Sequence, residues 1–236
     1  MEVSSRLLSV PASPIRKLIP DAVEAKKQGV KVYHLNIGDP DIETPQVMID
    51  VLKNWNRNPI GYDQSQGNPD LIAALKWYYR KLGFDFIEEE NIQVTTGGSE
   101  AISMAMFATC GVGDEMLVFE PFYANYNSYA AINGIKLIPV FTDIKDGFHL
   151  PRREIIETHI SPKTKAILIC NPNNPTGTVY TKKEMDMLIN IAKKRKLFIL
   201  SDEVYREFVY DGKTHTSLFN YMEGNPAKMI VLDSLS

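Results

Sequence analysis

Short apolar runs alternating with helical patterns constrain this chain most. Met116–Phe119, Ala166–Ile169, Leu197–Leu200 and Met229–Leu232 are short and almost wholly apolar, and each ends in polar or turn-forming residues. Ile135–Val140 reads as a further strand, and Val32–Ile37 and Asn91–Thr96 have strand-like character. Helical patterns fall between them. One spans Asp21–Gln28 and is closed by Gly29. Another opens with Thr44 as N-cap and Pro45 at the first helical position, with Val47, Val51 and Leu52 as its apolar face. A third, capped by Asn68 or Asp70, runs through Leu71, Leu75 and Tyr78. The others are Ala101–Ala108, a short helix near Arg152–Thr158, and the amphipathic Lys182–Lys194. Apolar strands separated by helices are the pattern of a mostly parallel sheet covered on both faces. In such a sheet ligands sit outside the carboxyl ends of the strands, so function is expected at the strand tips.

Composition narrows the functional classes. The 236 residues are 44% hydrophobic and 23% charged, enough for one large domain and a smaller appendage. A formal net charge of −3 offers no basic footprint for nucleic acid. No apolar run approaches the ~20 residues of a membrane span, and Met1–Pro20 lacks the apolar core of a secretory signal. Cys110 and Cys170 stand far apart, so neither a disulfide framework nor a metal site is expected, and a reducing cytoplasm is the simplest home. His34, His149, His159 and His215 show no ligand spacing and read as surface or core residues.

The tips carry the chemistry. After Ala166–Ile169 comes Cys170-Asn171-Pro172-Asn173-Asn174-Pro175-Thr176-Gly177, a loop fixed by its prolines and glycine and rich in amides. These are also ordinary turn residues. Gly97-Gly98-Ser99-Glu100 lies between a strand-like segment and a helix, a layout that suits a helix cap as well as a phosphate cradle. It is neither a Walker loop nor a dinucleotide fingerprint. Tyr123 follows a strand end, where an aromatic can cap the core or stack on a planar ligand. Asp202 closes a very apolar strand, and a carboxylate there needs a partner. With Tyr205 and the hydroxyls of Ser234 and Ser236, the set suits a planar, phosphorylated, cationic aromatic ring.

The order of these elements resembles the class I/II aminotransferases, the fold-type I pyridoxal-phosphate enzymes. The similar stretches are Gly38-Asp39-Pro40-Asp41, Gly97-Gly98-Ser99-Glu100-Ala101, Pro121-Phe122-Tyr123, Asn171–Gly177, Asp202-Glu203-Val204-Tyr205 and Ser234-Leu235-Ser236. The resemblance implies an α/β fold with a mostly parallel seven-stranded sheet sandwiched by helices. Residues 1–44 would be an N-terminal arm and part of an incomplete small domain, and residues 45–236 the large cofactor-binding domain. It implies pyridoxal 5'-phosphate as cofactor, with Asp202 on the ring nitrogen and Asn174 and Tyr205 on the ring's phenolic oxygen. Tyr123 would stack on the ring, and Gly97, Gly98, Ser99, Ser234 and Ser236 would lie around the phosphate. Gly38 would lie near the substrate carboxylate, and Asn174 and Tyr62 would also belong to the substrate-binding set. Tyr62 would reach into the partner's site in a homodimer with shared active sites.

The implied reaction moves an amino group between an amino acid and a 2-oxo acid by a ping-pong mechanism. A carbon–sulfur lyase of the same fold is an alternative outcome. So is a non-catalytic regulator that senses the cofactor, although residues 1–31 are too short and proline-rich for the helix-turn-helix of such fusions. A generic nucleotide-binding domain is disfavoured by the missing phosphate-loop motifs. The family's pattern places the cofactor-bearing Schiff-base lysine directly after Ser236, followed by arginines for the phosphate and the substrate carboxylate. Residues 1–236 alone are therefore expected not to transaminate.

Overall fold

The structure is a computed structural model that describes residues 3, 8, 10, 16–35, 38, 40–56, 58–224 and 228–235. Five strands form one sheet: β1 (Glu115–Glu120), β2 (Lys136–Phe141), β3 (Thr164–Cys170), β4 (Phe198–Asp202) and β5 (Met229–Leu232). The spatial order is β2-β1-β3-β4-β5, and every neighbouring pair is parallel. Seven helices accompany them among the described residues: α1 (Ile19–Lys27), α2 (Gln46–Lys53), α3 (Pro69–Lys81), α4 (Gly98–Thr109), α5 (Asn125–Asn133), α6 (Arg153–Thr158) and α7 (Lys182–Arg195).

Alternation along the strands builds two cores, one on each face of the sheet. Leu117, Phe119, Ile167, Ile169 and Ile199 pack with Met185, Leu188 and Ile191 of α7 and with Ile156 of α6. Their sequence neighbours Met116, Val118, Ala166, Leu168 and Leu200 pack with Ile102 and Met106 of α4 and with Tyr126 and Ala130 of α5. Burying one such Leu or Ile contributes ~1.5–3 kcal/mol, which is why apolar runs without polar interruption become central strands. A third cluster joins Ile72 and Tyr79 of α3 to Ile87, Ile92 and Phe219.

Helix ends follow local chemistry. Thr181 and Glu184 form a reciprocal capping box at the start of α7, and Asn68 accepts from the backbone N–H groups of Asp70 and Leu71 at the start of α3. Helix α5 ends at Gly134 with φ +70°, a conformation that favours glycine.

Several expectations are corrected. The described residues supply five parallel strands, not seven. Residues 92–95 form no strand: Val94 N–H donates to the Gln66 carbonyl at 2.9 Å, a loop contact instead of a sheet ladder. Residues 32–35 also form no strand, and Leu35 is exposed; residues 36–37 lie outside the described residues. Thr44 does not cap α2, which is preceded by Pro45 and has no side-chain cap. The expected apolar face of α2 (Val47, Val51 and Leu52) is exposed, because no other described element covers it.

Candidate active site

The strand order places a topological switch between β1 and β3. From β1 the chain turns outward to β2, then returns to the other side of β1. The loops leaving β1 and β3 therefore diverge and open a crevice beyond the strand ends, the usual ligand position in an open parallel sheet. Pro121–Tyr123 leaves one side of it and Asn171–Gly177 the other.

Asp202 closes β4, level with Cys170 on β3 and Leu232 on β5. It is 5% exposed. Its Oδ2 accepts a hydrogen bond from the Tyr126 hydroxyl at 2.5 Å, and its Oδ1 accepts from the Val204 N–H at 3.3 Å. Burial pushes the Asp202 carboxyl above its ordinary range. The Tyr126 and Val204 hydrogen bonds pull it back, and the nearby charges of Asp233 and Glu203 raise it again. Beside it on β3, the Cys170 thiol is pushed up to about 12 by burial and by the Asp202 charge, so it remains protonated. A buried carboxylate held in this way is poised for a cationic partner.

The asparagine loop and the turn after β4 meet directly, with Asn174 Nδ2 donating to the Tyr205 hydroxyl at 3.1 Å. Asn173 and Asn171 serve the loop itself. Asn173 Oδ1 accepts from the Thr176 N–H and hydroxyl, while Asn171 Oδ1 accepts from the Tyr180 N–H. These buried amides replace the backbone ladder where β3 ends. Tyr123 lies edge-on to Tyr126 at 5.5 Å between ring centroids, and its hydroxyl accepts from Asn125 Nδ2 at 2.7 Å.

Helix α4 begins at the same edge. Glu100 accepts from both the Thr96 N–H and the Thr96 hydroxyl at 2.7 Å, steadying the turn that delivers Gly97 and Gly98. A Cβ at Gly97 would meet nothing within 4 Å, so this end of the helix is open. A Cβ at Gly98 would stand 3.5 Å from Ser234 Cβ and 3.8 Å from Val204 Cγ2, which brings the tips of β5 and β4 against the helix start. Ser99 Oγ accepts from the Tyr129 hydroxyl at 2.7 Å. The first N–H groups of a helix with an open glycine face can receive an anion.

The structure thus brings together Gly98, Ser99, Tyr123, Asn174, Asp202, Tyr205 and Ser234, with Gly97 at the rim. Gly38 and Tyr62 are exposed and stand apart from these hydrogen bonds. Ser236 lies outside the described residues. Sequence reading missed Tyr126 and Tyr129. A signal existed: with Tyr123 they recur every third residue, which aligns side chains on one face once a helix begins. It also missed a buried polar group behind the site. Glu203 is wholly buried and accepts from Ser201, Ser217, the Leu218 N–H and Arg206. His215 Nε2 is buried 3.8 Å from Glu203, and burial lowers its pKa, favouring the neutral ring.

The family model for aminotransferase class I and II matches residues 30–236. Glutamate-pyruvate aminotransferase AlaA of Haemophilus influenzae is 35% identical over 206 residues, covering 86% of this chain and 50% of that protein. Aspartate aminotransferase of Thermotoga maritima is 32% identical over 226 residues, covering 94% of this chain and 59% of that protein. Among solved structures, the Thermotoga maritima aspartate aminotransferase superposes with a TM-score of 0.88 at 30% identity, covering 98% of this chain and 61% of that one. Alanine aminotransferase from Pyrococcus furiosus gives 0.85 at 33% identity, covering 98% and 59%. The chain thus spans between half and two thirds of the length of these relatives. A model match over most of the chain, together with the shared fold and the convergence of the motif residues, shows that this chain belongs to the class I and II aminotransferase family.

Proposed function

We propose that this chain forms the cofactor-binding part of a pyridoxal-phosphate-dependent aminotransferase that moves an amino group between an amino acid and a 2-oxo acid by a ping-pong mechanism. The observation that carries this reading is Asp202, a buried carboxylate at a strand tip with the Asn174–Tyr205 pair on an adjoining loop. The residues present fit pyridoxal 5'-phosphate. Asp202 suits a protonated ring nitrogen, Tyr123 a ring face, and Asn174 and Tyr205 a phenolic oxygen. The open start of α4 with Ser99 and Ser234, and Ser236 beyond the described residues, suits a phosphate. When bound, the cofactor supplies a cationic ring that accepts electrons as the substrate loses its α-proton.

Each residue then has a definite task. Asp202 would hold the ring-nitrogen proton, its charge kept in place by Tyr126. The Asn174 amide and Tyr205 hydroxyl would orient and polarise the phenolic oxygen, and Tyr123 would exclude water from one ring face. Gly38 would lie near the substrate carboxylate, with Asn174 also on the substrate side. Residues 45–236 would be the large domain and residues 1–44 an arm and part of a small one. Tyr62, fully exposed in a single chain, would complete the partner's site in a homodimer. Asp202→Ala in the full-length protein should nearly abolish transamination while phosphate contacts retain some cofactor, seen by absorbance titration and amino-transfer assay. Near-normal turnover in that variant would exclude this assignment.

A further inference from the structure

A charged cluster behind the site has no part in the functions assigned above. Arg206 is 8% exposed and bridges two strand tips. Its Nη2 and Nε donate to Glu203 Oε2 at 3.2 and 3.3 Å, just after β4. Its Nη1 donates to Asp233 Oδ2 at 2.8 Å, just after β5. Tyr79 of α3 donates to the same Oδ2 at 3.1 Å. The other oxygen of Asp233, Oδ1, accepts from the Ser234 N–H at 2.8 Å. Burial alone would lower the Arg206 pKa, but Glu203 and Asp233 reverse this and hold it above the usual range, so the guanidinium stays charged.

The geometry fixes both oxygens of Asp233, one by an arginine and a tyrosine and the other by the serine that faces the start of α4. Ser234 Cβ lies 3.5 Å from where a Gly98 Cβ would be. Resting on the proposed cofactor reading, we propose that Arg206, Asp233 and Tyr79 are positioning residues that set the Ser234 loop against the α4 N-terminus and thereby the site's grip on a phosphate. None of the three needs to touch the ligand. Ion pairs with a buried arginine contribute little net stability against apolar replacements, so the main consequence of this one is the fixed geometry of the loop.

The test compares pyridoxal phosphate with pyridoxal, which lacks the phosphate, by equilibrium titration of the full-length protein. Asp233→Asn keeps the side-chain shape and removes the charge. It should weaken pyridoxal phosphate about tenfold and leave pyridoxal within about twofold. Tyr79→Phe removes one hydrogen bond to Oδ2, is the variant to read if Asp233→Asn does not fold, and should give the same selective loss at about threefold. Equal weakening of both ligands, or unchanged preference for the phosphorylated one, would overturn the proposal. A wild-type protein that fails to prefer pyridoxal phosphate would instead overturn the cofactor reading.

Discussion

Burial and the Tyr126 hydrogen bond pull the Asp202 carboxyl in opposite directions. Burial raises the Asp202 pKa, so in the unliganded protein its charge opposes folding. Below the unfolded-state value of about 3.9 the group is protonated in both states and this penalty is absent. As pH rises from there through the raised folded-state value, the wild type loses stability that a neutral side chain would keep. Asp202→Asn should therefore melt higher than wild type at neutral pH, with the gain vanishing as pH falls to about 3. Thermal melts at both pH values read this, and a gain that persists at the lower pH would point to packing instead. Tyr126→Phe acts in the opposite sense to the existing hydrogen bond, which lowers the Asp202 pKa. If the activity is the one proposed above, the acid limb of kcat/KM in the full-length protein should move to higher pH. An unmoved limb would separate Tyr126 from the function of Asp202.

At the scale of elements, stability is concentrated where caps and cores coincide. Helix α7 carries the reciprocal Thr181–Glu184 box, and Glu184 also accepts from the Leu150 N–H at 2.7 Å. Thr181→Ala should cost about 1 kcal/mol in chemical denaturation. Thr44→Ala should cost next to nothing, because α2 begins after Pro45 and no side chain caps it. Equal losses in the two variants would contradict the observed helix starts. Segment 92–95 shows the limit of local pattern. Its residues suit a strand, but the Val94 N–H goes to Gln66, and the Gln93 amide donates to the Ser65 and Gln66 carbonyls.

For the molecule as a whole, exposed apolar side chains gather on the early segments: Leu35, Ile42, Val47, Val51, Leu52, Ile60 and Tyr62. Burial of these surfaces against a second copy would accompany the shared-site dimer proposed above. A mixing experiment tests it. Full-length Tyr62→Phe and Asp202→Ala variants, unfolded and refolded together, should recover about a quarter of wild-type activity, because half the dimers are mixed and each of those holds one intact site. This requires that each variant alone be strongly impaired. Activity no higher than the average of the two parents would argue against sites shared through Tyr62.

The order of the five strands with α6 and α7 between them, the loop from Asn171 to Gly177, and the placing of Asp202 at a strand end could be read from the chain alone, whereas helix α5 (Asn125–Asn133) between β1 and β2 was not expected. Each legible feature rests on local pattern: continuous apolar runs, amphipathic spacing, prolines and glycines. What the chain could not show was which tips touch. Arg206 and Asp233 are 27 positions apart, and Tyr126 and Asp202 are 76 apart. No spacing rule links such pairs; they meet only because β3, β4 and β5 align in parallel register and α5 packs across the sheet. The same holds for residues 32–35 and 92–95, whose strand character is real but whose pairing depends on a neighbour. A strand is completed by hydrogen bonds to another segment, so its propensity belongs to the sequence and its existence to the tertiary structure.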